Sequence, residues 1–226
     1  MGARQHILIM RHPETIANAR HVLSGRKDVD LTPRGERQMY QAIDAIEAWK
    51  PDRIWTSPLS RCKSIAEEAA SRLKVPCAVE DGLQEMEFGS AQDLTISELA
   101  KRGLHFPWSF DGQGHSVTAP GAESFETLLA RAKGVLDRLF PLEGRTACVT
   151  HGGVSRALLG AALDVPVRTF WNMRIANVSS QLLSCDGQTF TLCALGLAPE
   201  EVIERVRRPE LFGADVADSF EKEQTP

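Results

Sequence analysis

The chain has 226 residues, 42% hydrophobic and 25% charged, which is enough for one α/β domain with a sizeable core. Its net charge of −4 excludes a general nucleic-acid binder, which carries a basic surplus, so affinity for phosphate must come from a local cluster of cations. The five cysteines (Cys62, Cys77, Cys148, Cys185 and Cys193) form no CxxC pair, which argues against a disulfide framework or zinc site and predicts reduced thiols in a cytoplasmic protein. No apolar stretch approaches the length of a membrane span, and Met1 to Gln5 runs straight into a strand-like segment, so neither a membrane helix nor a leader is expected.

The first element is a short apolar run, Ile7-Leu8-Ile9-Met10, that ends in Arg11-His12. A buried strand with this ending delivers a cation and an imidazole to the carboxyl edge of a sheet, where open α/β proteins bind ligands. Residues 13 to 30 read as a polar connection. Thr32 is then an N-cap, with Pro33 in the first turn of a helix running to about Trp49. Ile54-Trp55-Thr56 is a short strand, Ser57-Pro58 opens a helix to about Leu73, and Pro76 to Glu80 is a further strand. Thr95-Ile96-Ser97-Glu98 fits a capping box.

Residues 103 to 120 mix Gly103, Pro107, Gly112, Gly114 and Pro120 with Phe106, Trp108 and Phe110, and they also carry His105 and His115. They read as part of a lid-like insertion, about 90–121, over the sheet's carboxyl edge. A long helix follows from Ser124 to about Phe140. Ala147-Cys148-Val149-Thr150 then repeats the opening theme, a strand leading into His151-Gly152-Gly153 and a helix from Val154 to Leu163. Ser179–Ser184 and Thr189–Ala194, joined around Asp186-Gly187, form a hairpin, whose edge is one route to a homodimer in place of a monomer. From Pro199 a charged surface helix gives way to a tail, about 213–226, expected to be flexible. The alternation of strands and helices predicts a three-layer α/β/α sandwich on a mostly parallel central sheet, a single domain spanning 1–226.

Two strands that each end in a histidine with arginine nearby point to a site for a phosphoryl group. Arg61, in the first turn of the helix after Thr56-Ser57-Pro58, can fork onto two phosphate oxygens, although taken alone it reads as an exposed helix arginine. Glu85, in Leu83-Gln84-Glu85-Met86-Glu87-Phe88-Gly89, is a candidate general acid for a leaving alkoxide, with Glu87 as its competitor. Asn18 and Ser24 either hydrogen-bond phosphate or substrate oxygens or serve as ordinary turn residues. There is neither a G-x-G-x-x-G after the first strand nor a P-loop lysine motif, which argues against a nucleotide-cofactor enzyme.

Arg11-His12, Asn18, the Gly25…Asp28…Leu31-Thr32…Gly35 run, Ser57-Pro58-Leu59-X-Arg61, Leu83-X-Glu85-X-X-X-Gly89 and Thr150-His151-Gly152-Gly153 together resemble the histidine phosphatase superfamily, the phosphoglycerate mutase-like family of branch 1. The resemblance covers roughly residues 7 to 180. It implies a phosphohistidine nucleophile at His12, Glu85 as the proton donor by its spacing to Gly89, and an anion pocket of Arg11, Arg61 and His151 supported by Asn18; Ser24 and Gly152 are further candidates for phosphate contact. It implies no metal and no other cofactor, and a small phosphorylated substrate as partner. The family's usual glycine after the nucleophile is here Pro13, which removes an N–H but keeps a carbonyl. Related mutases carry a longer Arg-Asn-Glu-Arg-X-Tyr-Gly pattern around the acid. After this chain's shorter form no basic residue appears until Lys101, which favours a phosphatase over a mutase, and over a phosphate-binding module with no turnover. Arg102, His105 and His115 either contact an acidic substrate or are solvated loop residues.

Overall fold

The computed structural model describes residues 5–212 and Val216. Strand β1 (Gln5–Arg11) lies inside a six-stranded sheet. It pairs in parallel with β6 (Gly144–Thr150), which pairs in parallel with β2 (Arg53–Thr56) and that with β3 (Cys77–Val79). On its other side β1 pairs antiparallel with β7 (Ser180–Cys185), which turns back into β8 (Phe190–Leu197). The resulting order is β3-β2-β6-β1-β7-β8, with β7 alone running against the rest.

Successive residues of a strand face opposite sides, and β1 shows why the sheet is covered on both. Ile7 and Ile9 pack into one cluster with α5 (Phe125–Leu139) and α6 (Gly152–Ala162), through Leu128, Val135, Val154 and Leu158. Leu8 and Met10 pack into the opposite cluster with α2 (Pro33–Trp49), α3 (Ser60–Leu73) and α7 (Pro199–Arg207), through Ile43, Trp49, Ile65 and Val202. The predicted three layers are therefore present. Among the described residues no helix is long and apolar enough to cross a membrane, and none of the five cysteines is bonded to another.

Several boundaries depart from expectation for local reasons. The polar stretch 13–30 contains a one-turn helix, α1 (Ile16–Ala19), because Thr15 and Asn18 close a reciprocal capping box. Helix α3 begins at Ser60, not at Ser57-Pro58. Its cap comes from far away, as Asp28 Oδ1 accepts hydrogen bonds from both Ser60 N and Ser60 Oγ at 2.8 Å. Helix α6 starts two residues early, with His151 extended at the N-cap and Gly152-Gly153 forming the first turn. The 179–197 hairpin exposes one edge strand only, since β7 is paired on both sides and β8 alone is terminal. The charged helix α7 packs on α2 by burying Val202. The tail expected to be flexible lies outside the described residues, Val216 excepted.

The segment from 89 to 121 leaves the sandwich and returns at one point. Ser90 N donates to Pro120 O at 2.9 Å, and Glu123 N donates to Glu87 O at 2.8 Å. Gly89 sits at φ +52°, and a Cβ there would overlap the backbone of Pro120 and Ala122, so only glycine fits this neck. Beyond the neck lie α4 (Ile96–Lys101), opened by the expected Thr95–Glu98 capping box, and, within the stretch read as loop, a two-residue hairpin of β4 (Ser109–Phe110) with β5 (Ser116–Val117).

Candidate active site

The register of β1 on β6 sets Arg11 opposite Thr150, and His12 N donates to Thr150 O at 2.9 Å. The two strands therefore release His12 and His151 at the same level of the sheet. Their ring centroids are 5.1 Å apart, and both side chains are buried. His12 Nδ1 lies 2.6 Å from Pro13 O. A carbonyl only accepts, so Nδ1 carries the proton and Nε2 keeps a free lone pair. The residue that departs from the usual glycine thus makes this contact through the atom that proline retains.

His151 stands behind His12, with Nε2 2.7 Å from Ser57 Oγ and 3.5 Å from Cys62 Sγ. Burial, and then the positive charges of Arg61 and Arg11, hold His12 well below the usual imidazole value, so it is neutral. Burial, and then the charges of Arg61 and Arg11, likewise hold His151 well below the usual imidazole value. Burial also pushes the Cys62 thiol up, which keeps the sulfur beside His151 uncharged.

In front of His12 is a cavity of about 140 Å³ whose walls include Arg11, Asn18, Ser24, Arg61, Glu85 and Gly152. Arg61 is 3% exposed, so the surface-arginine reading fails. Its Nη1 and Nη2 donate to Lys27 O and Gly25 O at 2.8 Å, and its Nε is buried without a partner. Arg11 Nη1 donates to Ile175 O at 2.6 Å, and its Nε is likewise buried and unpartnered. Two orphaned guanidinium N–H groups at one cavity are unmet donors, which an anion satisfies.

Glu85 is brought in by its loop. Thr150 Oγ1 donates to Leu83 O at 2.7 Å, and Arg131 Nη1 donates to Gly82 O and Gln84 O at 2.8 and 2.7 Å. Arg131 is in turn ion-paired with the buried Glu123 at 2.8 Å. The Glu85 carboxylate accepts from Met86 N at 2.8 Å and Gly153 N at 3.4 Å. Its rival Glu87 is not at the cavity and instead accepts from Gly89 N at 3.1 Å, at the neck of the inserted segment.

Asn18 has a double role. Its Oδ1 closes the α1 box and also accepts from Asn177 Nδ2 at 3.1 Å, while Asn177 Nδ2 reaches His12 O at 3.0 Å. His105, His115 and Arg102 lie away from the cavity and are exposed. A larger groove of about 520 Å³ between α2 and α7 contains no histidine or cysteine. Among the described residues no cluster of three His, Cys, Asp or Glu is placed to hold a metal ion.

Arg156 and Trp171 in the cavity wall, and Asn177 behind Asn18, escaped the sequence reading, while Phe106 reaches the wall from the segment read as a lid. Arg156 had a signal in principle, because it lies four residues after Gly152 on one helix face. Burial and the nearby Arg11 charge push it down to about 10. Trp171 lies in a three-residue 3-10 turn, Phe170–Asn172, and Asn177 in an irregular segment, both too short for a periodicity that marks which side chains turn inward.

A family model for the histidine phosphatase superfamily, branch 1, matches residues 7–197. The chain is 32% identical over 193 residues to a bifunctional protein of Mycobacterium tuberculosis, covering 82% of this chain and 52% of that one, so it spans about half that relative's length. It is 30% identical over 156 residues to the uncharacterised phosphatase PhoE of Bacillus subtilis, covering 68% and 75%. The fold matches that of a mycobacterial glucosyl-3-phosphoglycerate phosphatase bound to VO3 with a TM-score of 0.75 at 24% identity, over 87% of this chain and all of the other. With a matching model over most of its length, the chain belongs to branch 1 of the histidine phosphatase superfamily.

Proposed function

We propose that this chain is a metal-independent phosphatase that hydrolyses small phosphate monoesters through a phosphohistidine on His12. The observation that carries this reading is the 2.6 Å contact of His12 Nδ1 with Pro13 O, which leaves Nε2 free at a cavity shared with Arg61, Arg11 and Glu85. In the first step Nε2 attacks phosphorus, the P–N bond forms, and the P–O bond to the leaving alkoxide breaks as Glu85 hands that oxygen a proton. In the second step Glu85 takes a proton from water, whose oxygen displaces His12 and releases inorganic phosphate. One difficult displacement becomes two easier ones.

Arg11 and Arg61 neutralise the phosphoryl oxygens, work that other phosphoryl-transfer sites give partly to a cation. The incoming dianion also reverses the electrostatic pressure on His151, favouring a proton on that ring where it can stabilise the transferred group. The phosphatase and mutase names among the chain's relatives support an enzyme acting on phosphate esters.

The test is release of p-nitrophenol from its phosphate in EDTA, comparing the wild type with His12→Ala and running 3-phosphoglycerate and bisphosphoglycerate alongside. Release that survives EDTA and vanishes in the variant is the expected result. Isomerisation of phosphoglycerate with little phosphate release would replace the hydrolase with a mutase. Binding without either reaction would reduce the chain to a phosphate-binding module.

A further inference from the structure

The loop that carries Glu85 is held by its carbonyls. Arg131 takes those of Gly82 and Gln84, Thr150 takes that of Leu83, and Arg26 Nε donates to Glu85 O at 3.1 Å. Every carbonyl from Gly82 to Glu85 thus has a side-chain donor, although this stretch lies in no strand. Once the backbone is fixed in this way, so is the direction in which the Glu85 side chain leaves it.

Three of those four contacts trace back to one carboxylate. Glu123 grips Arg131 as a fork, Oε1 accepting from Nε at 2.9 Å and Oε2 from Nη2 at 2.8 Å. Its Oε2 also lies 3.6 Å from Arg26 Nη2 and accepts from Glu87 N at 3.4 Å. The Glu123 side chain is 6% exposed, against 19% for Arg131 and 36% for Arg26, so the carboxylate is the buried centre from which both cations reach the loop. The backbone of Glu123 is anchored as well. Its N donates to Glu87 O at 2.8 Å, and its O accepts from the Trp108 indole at 3.0 Å. Glu123, Arg131 and Arg26 all stay outside the wall of the catalytic cavity.

A forked ion pair fixes direction as well as distance, and two guanidiniums that lose a shared buried partner lose their own positions with it. A shift of about 1 Å in a catalytic group costs on the order of 100-fold in rate, so the aim of this loop matters to the chemistry. We propose that Glu123 is a positioning residue for the proton donor: through Arg131 and Arg26 it fixes the loop that turns the Glu85 carboxylate into the cavity. The inference rests on Glu85 serving as the donor in the reaction proposed above.

Phenyl phosphate and p-nitrophenyl phosphate separate this role from general support of the fold. Phenolate is the more basic leaving group, so its departure depends on a positioned acid far more than that of nitrophenolate does. In Glu123→Gln, kcat/KM is expected to fall about tenfold further on phenyl phosphate than on p-nitrophenyl phosphate. Glu123→Asp, which keeps the charge, restores part of that difference. Arg26→Gln alters a partly exposed side chain and shows a smaller selective loss, which carries the test if Glu123→Gln does not fold. A second readout needs no turnover. Met86 N and Gly153 N both donate to the Glu85 carboxylate, so their amide resonances should move in Glu123→Gln and Arg26→Gln. Equal losses on the two esters, or an unmoved Gly153 amide, overturn the proposal. Glu85→Gln is the control. A selective loss there with none in the other variants overturns the positioning role alone, whereas equal losses there remove Glu85 as the donor and the proposal with it.

Discussion

His12 and His151 carry an energetic cost that shows in the protein's response to pH. Both are buried and held well below 6.5 in the folded chain, first by desolvation and then by Arg61 and Arg11. In the unfolded chain each titrates near its ordinary value, so below about pH 6.5 the unfolded state binds more protons than the folded one. Stability from these two groups is complete above that pH and falls as pH drops from about 6.5 towards their depressed values. Each unit of depression is worth about 1.4 kcal/mol. The urea midpoint is expected to fall between pH 6.5 and 5, and to fall less in His12→Gln, which loses one of the two buried imidazoles. Equal wild-type midpoints at those two pH values would show that the rings are not buried neutral.

At the scale of elements, the motifs turn out to be joints between loops and helices. Asp28 supplies the α3 cap that Leu59 cannot, and Arg61, one residue into that helix, grips the carbonyls of Gly25 and Lys27. The loop after β1 and the start of α3 are thereby locked together, which explains why Gly25, Asp28 and Arg61 occur as a set. Thr32 caps α2 by accepting from Gly35 N at 2.9 Å, and a side chain on Gly35 would overlap Glu14 O. The first turn of α6 makes the sharpest prediction. In Gly153→Ala the new methyl presses on Glu85 Oε1, the far end of a flexible side chain, and on the Trp171 ring. Helix propensity favours alanine, so stability should stay within about 1 kcal/mol of wild type. Activity should fall about 100-fold, because the proton donor is displaced from its position. Urea unfolding and kcat on one preparation separate the two effects, and an unchanged kcat would remove Glu85 from the reaction.

For the molecule as a whole, the net charge of −4 conceals a cationic interior at the sheet edge. Arg11, Arg61 and Arg156 all line one small cavity, with Glu85 the sole carboxylate in its wall among the described residues. The folded state is therefore short of an anion that the unfolded chain has no means to bind. Orthovanadate at about 100 times its Kd should add about 2.7 kcal/mol to stability. For a chain of this size that raises Tm by roughly 5–10 °C. Differential scanning fluorimetry should record the shift in the wild type and lose it in Arg61→Ala. A vanadate shift that survives this substitution would place the anion elsewhere.

By itself the sequence determined the layered fold, the two strands that carry the site, and the residues at each strand end, whereas the order of strands in the sheet came from the tertiary structure. Those signals are local: apolar runs of strand length, caps such as Thr32 and Ser124, and a histidine directly after Arg11 or Thr150. Composition alone did not separate Glu85 from Glu87, which projects a carboxylate from the same loop, and the resemblance chose Glu85 by its spacing to Gly89. The fold gives the physical reason they differ: Thr150 and Arg131 hold the loop by its carbonyls and turn one carboxylate to the cavity and the other to the neck at Gly89. Asp28 as a remote cap, Asn177 behind Asn18, the covering Phe106, and Arg156 on Trp171 were decided the same way. Each depends on a partner outside the helix or loop that carries it, and such pairings leave no periodic trace in sequence.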